Sequence, residues 1–306
     1  MFGGTFALWW AGGSGVARGM AGARAAVVVC AMSAVAWAAA GGGSVASAAA
    51  RKQAHPVGCV VPGYTKNLNH LWRPDMAAAI AYAHTRVGDI AFAVRTEHRF
   101  YGYRANHVEW SASVVKAMLM VAYLDMPSVA NRPINSYDAS LLIPMITQSD
   151  NNAASTVIGI VGLSGLRALA ARVGMTNFQP VLPIWGETQI TPADQTKFFY
   201  RIDSYIAPLH RPLGMHLLAS ITPSQRWGIG EVAPQGWTAY FKGGWGSGTG
   251  LIDNQVVLLK RACARVSMAV LTMYDGSHDY GKDTLKGIFE RLLRGLPRAA
   301  RRHRHQ

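Results

Sequence analysis

The chain has 306 residues, half of them hydrophobic and 15% charged, with a formal net charge of +14. That length suffices for one large domain or two small ones with a substantial core, and three cysteines are too few for a structural zinc site. The positive excess favours contact with anionic surfaces and carries no information about the fold.

Residues 1–50 hold little polar content beyond Gly and Ser. Arg18 and Arg24 precede the apolar run Ala25 to Ala40, and Ala46-Ser47-Ala48 is a small-x-small pattern, which is the order of a secretory signal peptide. The run is short for a membrane span of about 20 residues. Export with cleavage near Ala48 is therefore expected, the alternative being an uncleaved N-terminal apolar anchor. Cleavage there removes Cys30 and leaves Cys59 and Cys263, two cysteines that can pair in an exported protein. Residues 51–70, punctuated by Pro56, Gly58, Pro62 and Gly63, read as a linker.

Pro74 and Asp75 open a helix expected to run to about Val87, where Gly88 ends it. Residues 89–96 and 99–104, rich in aromatic and β-branched types, predict two strands of a hairpin. The run from Ser113 to Leu124 carries one charge and stops before Pro127, so it predicts a helix buried on all sides. A polar turn region, 128–137, separates it from a helix over 138–147. Further helices are expected over 152–160, 163–173 and 191–206, with a loop at 175–190 and short helical pieces at 208–230. Residues 237–245, 251–259 and 265–273 have strand-like patterns, and 281–295 a closing amphipathic helix. The Gly-rich segment 246–250 lies between two strands, so it reads as a hairpin turn and not as a phosphate loop, which needs a helix after it. The tail 298–306 is basic and reads as solvated. Strands at both ends would pair into one antiparallel sheet covered by helices, with a helical lobe from the middle of the chain: an α+β fold.

Within the buried run, Lys116 follows Ser113 by three residues, which places both side chains on one helix face. An interior Lys loses solvation of its charged form and becomes a proton acceptor, and a serine beside it can be activated as a nucleophile. Downstream come Ser149-Asp150-Asn151 and then Lys242-Gly243-Gly244. S-x-x-K, S-D-N and a K-x-G strand in that order resemble the serine β-lactamases and penicillin-recognising D-alanyl-D-alanine peptidases, class A β-lactamases above all. Met145 to Ala154 around S-D-N, Pro234-Gln235-Gly236-Trp237 ahead of the lysine, and Thr191-Pro192 are similar to the same family. The resemblance covers roughly 70–297, within a proposed hydrolase domain of 71–297.

The resemblance implies these roles. Ser113 is the acylated nucleophile and Lys116 its proton acceptor or relay. Ser149 passes a proton to the leaving nitrogen, Asn151 binds the substrate amide, and Asp150 braces the loop. Lys242 adds positive charge near Ser149 and the substrate carboxylate. The N–H groups of Ser113 and Trp245 form an oxyanion hole, and Gly244 keeps the strand edge open for substrate. Two positions depart from the pattern. Gly243 stands where the family has a hydroxyl residue, for which Ser247 or Thr249 are the nearby substitutes, and Glu187 is the only carboxylate in a shortened loop where the family keeps its deacylation base. The expected activity is an exported acyl-transfer hydrolase of β-lactams or related amides, working without a cofactor or metal. A D-alanyl peptidase is the near alternative, and a wall-peptide or β-lactam-binding module without turnover is the alternative of another class. The expected partners are a β-lactam or a peptidoglycan-type peptide, with an anionic wall or lipid surface for the basic tail; nucleic acid is disfavoured, and a monomer is expected.

Overall fold

The computed structural model describes residues 72–246 and 251–298. The expected signal segment, the linker, Cys30, Cys59, Ser247, Thr249 and the tail beyond Arg298 lie outside the described residues. Cys263 is disulfide-bonded.

Seven strands are described: β1 (Asp89–Arg95), β2 (Phe100–Tyr103), β3 (Glu109–Trp110), β4 (Gln189–Ile190), β5 (Thr238–Trp245), β6 (Ile252–Arg261) and β7 (Ala264–Met273). Five form an antiparallel sheet in the order β2-β1-β7-β6-β5, in which β1 from the first part of the chain pairs with β7 from the end. The hairpin expected from 89–104 is present, with Phe92 opposite Tyr103. β5 and β6 pair on either side of the Gly-rich segment, as a hairpin requires. β3 and β4 make a separate two-stranded ribbon, and β4 falls inside the expected loop 175–190. At two residues each, they are too short for a periodic signal.

Seven helices of eight or more residues are described: α1 (Met76–Ala83), α2 (Val115–Leu124), α3 (Ser136–Thr147), α4 (Asn151–Val173), α5 (Pro192–Tyr200), α6 (Arg211–Ala219) and α7 (His278–Leu292). α7 packs with α1 and lies on β6 and β7, while α5 packs on β7, β1 and β6. The register assigns these helices to opposite faces. Gln255 and its partner Val270 point toward α7, because Gly228, held against Gln255, also packs on Leu285 of α7. Ser267, three residues from Val270 and so on the other face, donates to the carbonyl of Thr196 in α5. A sheet covered on both sides explains why β1, β6 and β7 are apolar and buried almost throughout instead of alternating.

Every residue of α2 is buried, as the uniform apolar run requires. It packs against α3 and α4, the core of the helical lobe. Asn135 and Asp138 close a capping box at the start of α3. Asp150 caps α4 by accepting from the Ala153 N–H at 2.7 Å. The two helices expected over 152–160 and 163–173 are one element kinked at Gly162, whose φ of 68° breaks the helical path. The helix expected over 191–206 is two pieces, since Arg201 leaves the helical region and Ile202–Tyr205 forms a separate turn. The short helix Pro127–Ala130, opened by its proline, runs into the polar region 128–137.

Candidate active site

Ser113 lies in a 3-10 turn, Ala112–Val114, immediately before α2. Ala112 has a φ of 42°, a left-handed conformation that costs a residue with a Cβ on the order of 1 kcal/mol. Ser149, between α3 and α4, has a φ of 60°. Non-glycine strain of this kind persists where the surrounding structure over-determines it, and here it sits beside Ser113 and on Ser149, the two serines among the four motif residues that meet.

Lys116 is 0% exposed and Lys242 1%. Their ammonium groups converge on one hydroxyl. Lys116 Nζ donates to Ser149 Oγ at 3.2 Å, to Asn151 Oδ1 at 2.7 Å, and to the Ser149 carbonyl. Lys242 Nζ donates to the same Oγ at 3.0 Å and to the carbonyl of Gly243 at 2.8 Å. Burial pushes the Lys116 amine down to about 7, with Asp150 opposing the shift. Lys242 is pushed well below the ordinary lysine range, first by burial and then by the charge of Lys116. When either amine is neutral, the single Ser149 O–H can turn and donate to it, so the hydroxyl links the two lysines as a proton path.

One expected contact is not formed. Among the described residues the Ser113 hydroxyl has no hydrogen bond; Lys116, expected beside it, is turned to Ser149 and Asn151 instead. Catalytic hydrogen bonds are often loose without substrate. Ser113 and Ser149 nevertheless line one cavity of about 530 Å³, together with Asn151, Glu187 and Trp245.

β5 is the edge strand that closes this cavity, and it runs against the Ser113 turn. A Cβ on Gly244 would lie 2.7 Å from the Ser113 nitrogen, so only glycine permits the approach. The Gly246 N–H pairs back to Ile252 on β6. In an antiparallel ladder the next N–H points the other way, so that of Trp245 faces the open edge, toward the turn. This is the arrangement an oxyanion hole between Ser113 and Trp245 needs. Asn254 of β6 ties the Trp110 carbonyl at 2.7 Å, fixing the segment that leads into Ser113.

Gly243 points to the opposite face of β5, where a Cβ would meet the Trp227 ring at 2.9 Å. The space of the missing hydroxyl side chain is thus filled by indole. Trp227 packs edge-on to Trp245, and His278 stacks on Trp245. Glu187 belongs to a short 3-10 turn, Trp185–Glu187, and is half-buried in the cavity wall with no hydrogen bond to Ser113 or Lys116. Its neighbour Trp185 lies under the Lys116 ammonium, 4.9 Å from ring centre to nitrogen, and donates to Ser155 Oγ at 3.1 Å.

All four motif residues, Ser113, Lys116, Ser149 and Lys242, therefore gather at one place with Asn151, Gly244, Trp245 and Glu187. Sequence reasoning missed Trp110, which lines the cavity three residues before Ser113, and Trp227. No periodicity marks Trp227, which sits among short helical pieces and reaches β5 only through the fold. Among the described residues no group of three or more His, Cys, Asp or Glu is placed to hold a metal ion.

A model of the β-lactamase enzyme family matches residues 137–293, a span that includes Ser149 and Lys242 and begins after Ser113 and Lys116. Among solved structures, the β-lactamase of Sphaerobacter thermophilus is similar at 20% identity with a TM-score of 0.62, over 74% of this chain and 98% of that one. The class A β-lactamase of Mycobacterium abscessus is similar at 19% identity and a TM-score of 0.62, over 72% and 98%. The β-lactamase of Streptosporangium roseum follows at 17% and 0.61, over 72% and 98%. At these identities the likeness establishes the fold. No curated protein sequence matches the chain. With more than half of its length matched by the family model, and with the expected sheet and lobe in place, the chain belongs to the β-lactamase enzyme family, the serine hydrolases that its motifs resemble.

Proposed function

We propose that this protein forms an acyl-enzyme on Ser113 and hydrolyses β-lactams or related amides. The observation that carries the reading is the pair of buried lysines sharing Ser149 Oγ in the wall of the cavity that Ser113 lines. A neutral Lys116 takes the Ser113 hydroxyl proton as Oγ bonds to the substrate carbonyl carbon. The oxyanion is held by the N–H groups of Ser113 and Trp245, each such donor being worth on the order of 10²–10³ in rate. As the C–N bond breaks, Ser149 gives its proton to the leaving nitrogen and recovers one from Lys116. Water then adds to the acyl carbon with Glu187 as base, and Ser113 Oγ regains a proton.

Intact-mass spectrometry after incubation with a penicillin tests this reading. The expected result is a single adduct on Ser113 that is absent from Ser113→Ala; an unmodified wild-type chain under both a penicillin and a phosphonate ester supports the binding-module reading in its place. Steady turnover of a chromogenic cephalosporin marks a hydrolase, and a stoichiometric burst marks a D-alanyl peptidase. Glu187→Gln is expected to leave the adduct intact and slow its loss.

The protein is further read as exported, through the N-terminal segment. The disulfide at Cys263 supports that reading, since such bonds persist in oxidising compartments. N-terminal sequencing of the protein from culture checks it: a start near residue 49 is expected, and an intact Met1 counts against cleavage.

A further inference from the structure

Strand β5 lies at the edge of the sheet, so its end at Trp245 is paired with a strand on one side only. On the face toward the reacting serine, Gly244 presses against the Ser113 turn. Support for Trp245 itself comes from the opposite face. Trp245 stands opposite Asp253 in the β5–β6 ladder, and directly paired residues project their side chains to the same face. Asp253 is buried, and its Oδ1 is hydrogen-bonded to His278 Nδ1 at 2.5 Å. The His278 ring in turn stacks on the Trp245 indole, with ring centres 5.7 Å apart and planes 26° apart.

The imidazole is fixed from several directions. His278 is the first residue of α7, and Ser277 caps that helix by accepting from the Tyr280 N–H at 3.2 Å. The first turn of α7 is seated on β6 at Gly281, where a Cβ would lie 2.2 Å from Asp253 Oδ2. Trp227 meets His278 edge-on at 5.5 Å and Trp245 edge-on at 6.0 Å. Trp227 is itself tied down, because its carbonyl accepts from Gln255 Nε2 at 2.9 Å. Two rings and a buried acid thus back Trp245 from the side away from Ser113. Neither His278 nor Asp253 lines the cavity, so their influence on the reaction passes through Trp245. The Trp245 N–H is one of the two donors facing the developing oxyanion, and such a donor acts only at the right distance from that charge.

We propose that His278, held by Asp253, is a positioning residue that fixes the Trp245 end of β5 and with it the N–H that completes the oxyanion hole. The proposal rests on the reading that Ser113 is acylated. Loss of the imidazole lets the strand end shift, and the shift is felt when the carbonyl oxygen gains charge and not when substrate first binds.

Stopped-flow acylation by benzylpenicillin over a range of concentrations tests this, since it separates the acylation rate constant from the dissociation constant of the non-covalent complex. His278→Ala is expected to lower the rate constant by about tenfold to a hundredfold, and to leave the dissociation constant within about threefold of wild type. His278→Phe keeps a ring on Trp245 and is expected to recover most of the rate. His278→Asn keeps a donor for Asp253 without a ring and is expected to recover little. An alanine variant that acylates at the wild-type rate, a loss confined to the dissociation constant, or an asparagine variant as fast as the phenylalanine one overturns the proposal. The comparison of phenylalanine with asparagine decides it even if the alanine variant fails to fold. A wild-type protein that gains no adduct on Ser113 overturns instead the acylation reading beneath, and the proposal with it, before any variant is measured.

Discussion

Lys116 and Lys242 meet at one hydroxyl in the interior, and two ammonium groups that close cannot both stay charged at low cost. Burial already brings Lys116 to about 7, so near neutrality a large share of molecules holds it as a free amine. Lys116→Arg keeps the length and hydrogen-bonding capacity but fixes the charge, because a guanidinium does not release its proton. Acylation by a penicillin is expected to fall by about 10²–10⁴ in that variant, the usual worth of a general base. Stopped-flow acylation, with thermal unfolding as a check on the fold, measures it; an unchanged rate would mean that another group takes the proton. The Ser-x-x-Lys spacing made these residues visible in the sequence. The partners of Lys116 were not visible, because Ser149 and Asn151 lie 33 and 35 residues further along the chain, on the left-handed turn between α3 and α4 and at the start of α4.

Among the elements, the edge strand β5 and the 3-10 turn before α2 set the geometry. Their separation is governed by Gly244, where an added Cβ meets backbone nitrogen and oxygen at 2.7–2.8 Å and has nowhere to go. At Gly243 the same atom meets only the edge of the Trp227 ring at 2.9 Å, a side chain able to give. Gly244→Ala is therefore expected to reduce acylation by about 10²-fold, as displacements of about 1 Å at reacting groups do, and Gly243→Ala much less. Acylation rates of the two variants side by side check this, and equal losses would show that the close approach is not what matters. The strands at both ends of the domain and the buried run of α2 were legible because burial on both faces leaves long apolar patterns. Strands β3 and β4 and the short turn holding Glu187 were not legible, since two or three residues carry no period and are fixed by packing.

For the whole molecule, a second set of buried groups controls stability with pH. Asp253 is raised to about 8, Glu109 to about 7 and Asp275 to about 6, in each case chiefly by burial. Asp253 faces Asp275, Lys282 and Asp279, and its Oδ1 pairs with His278 Nδ1 at 2.5 Å. Each acid keeps in the fold a proton that the unfolded chain has already released. The fold therefore binds more protons, and these groups lose stability as pH rises through their folded values. Lys116 works in the opposite sense above about 7, where the unfolded chain holds the proton. Asp253→Asn isolates one contribution: the urea-midpoint advantage of wild type over the variant is expected to shrink from pH 6 to pH 8. A difference that stays constant, or grows, would show that Asp253 is ionised in the fold across that range. The sequence gives no hint of this cluster, because its members come from β3, β6, the end of β7 and α7 and meet only once the sheet has closed.

The most direct measurement is the rate at which Ser113 gains an acyl adduct as a function of pH, from roughly pH 5 to 9. A neutral Lys116 as proton acceptor requires the rate to rise with pH and level off above an inflection near 7, with no adduct in Ser113→Ala. A rate independent of pH across that inflection, or an adduct that persists without Ser113, would contradict the assignment of a buried lysine and this serine as the reacting pair.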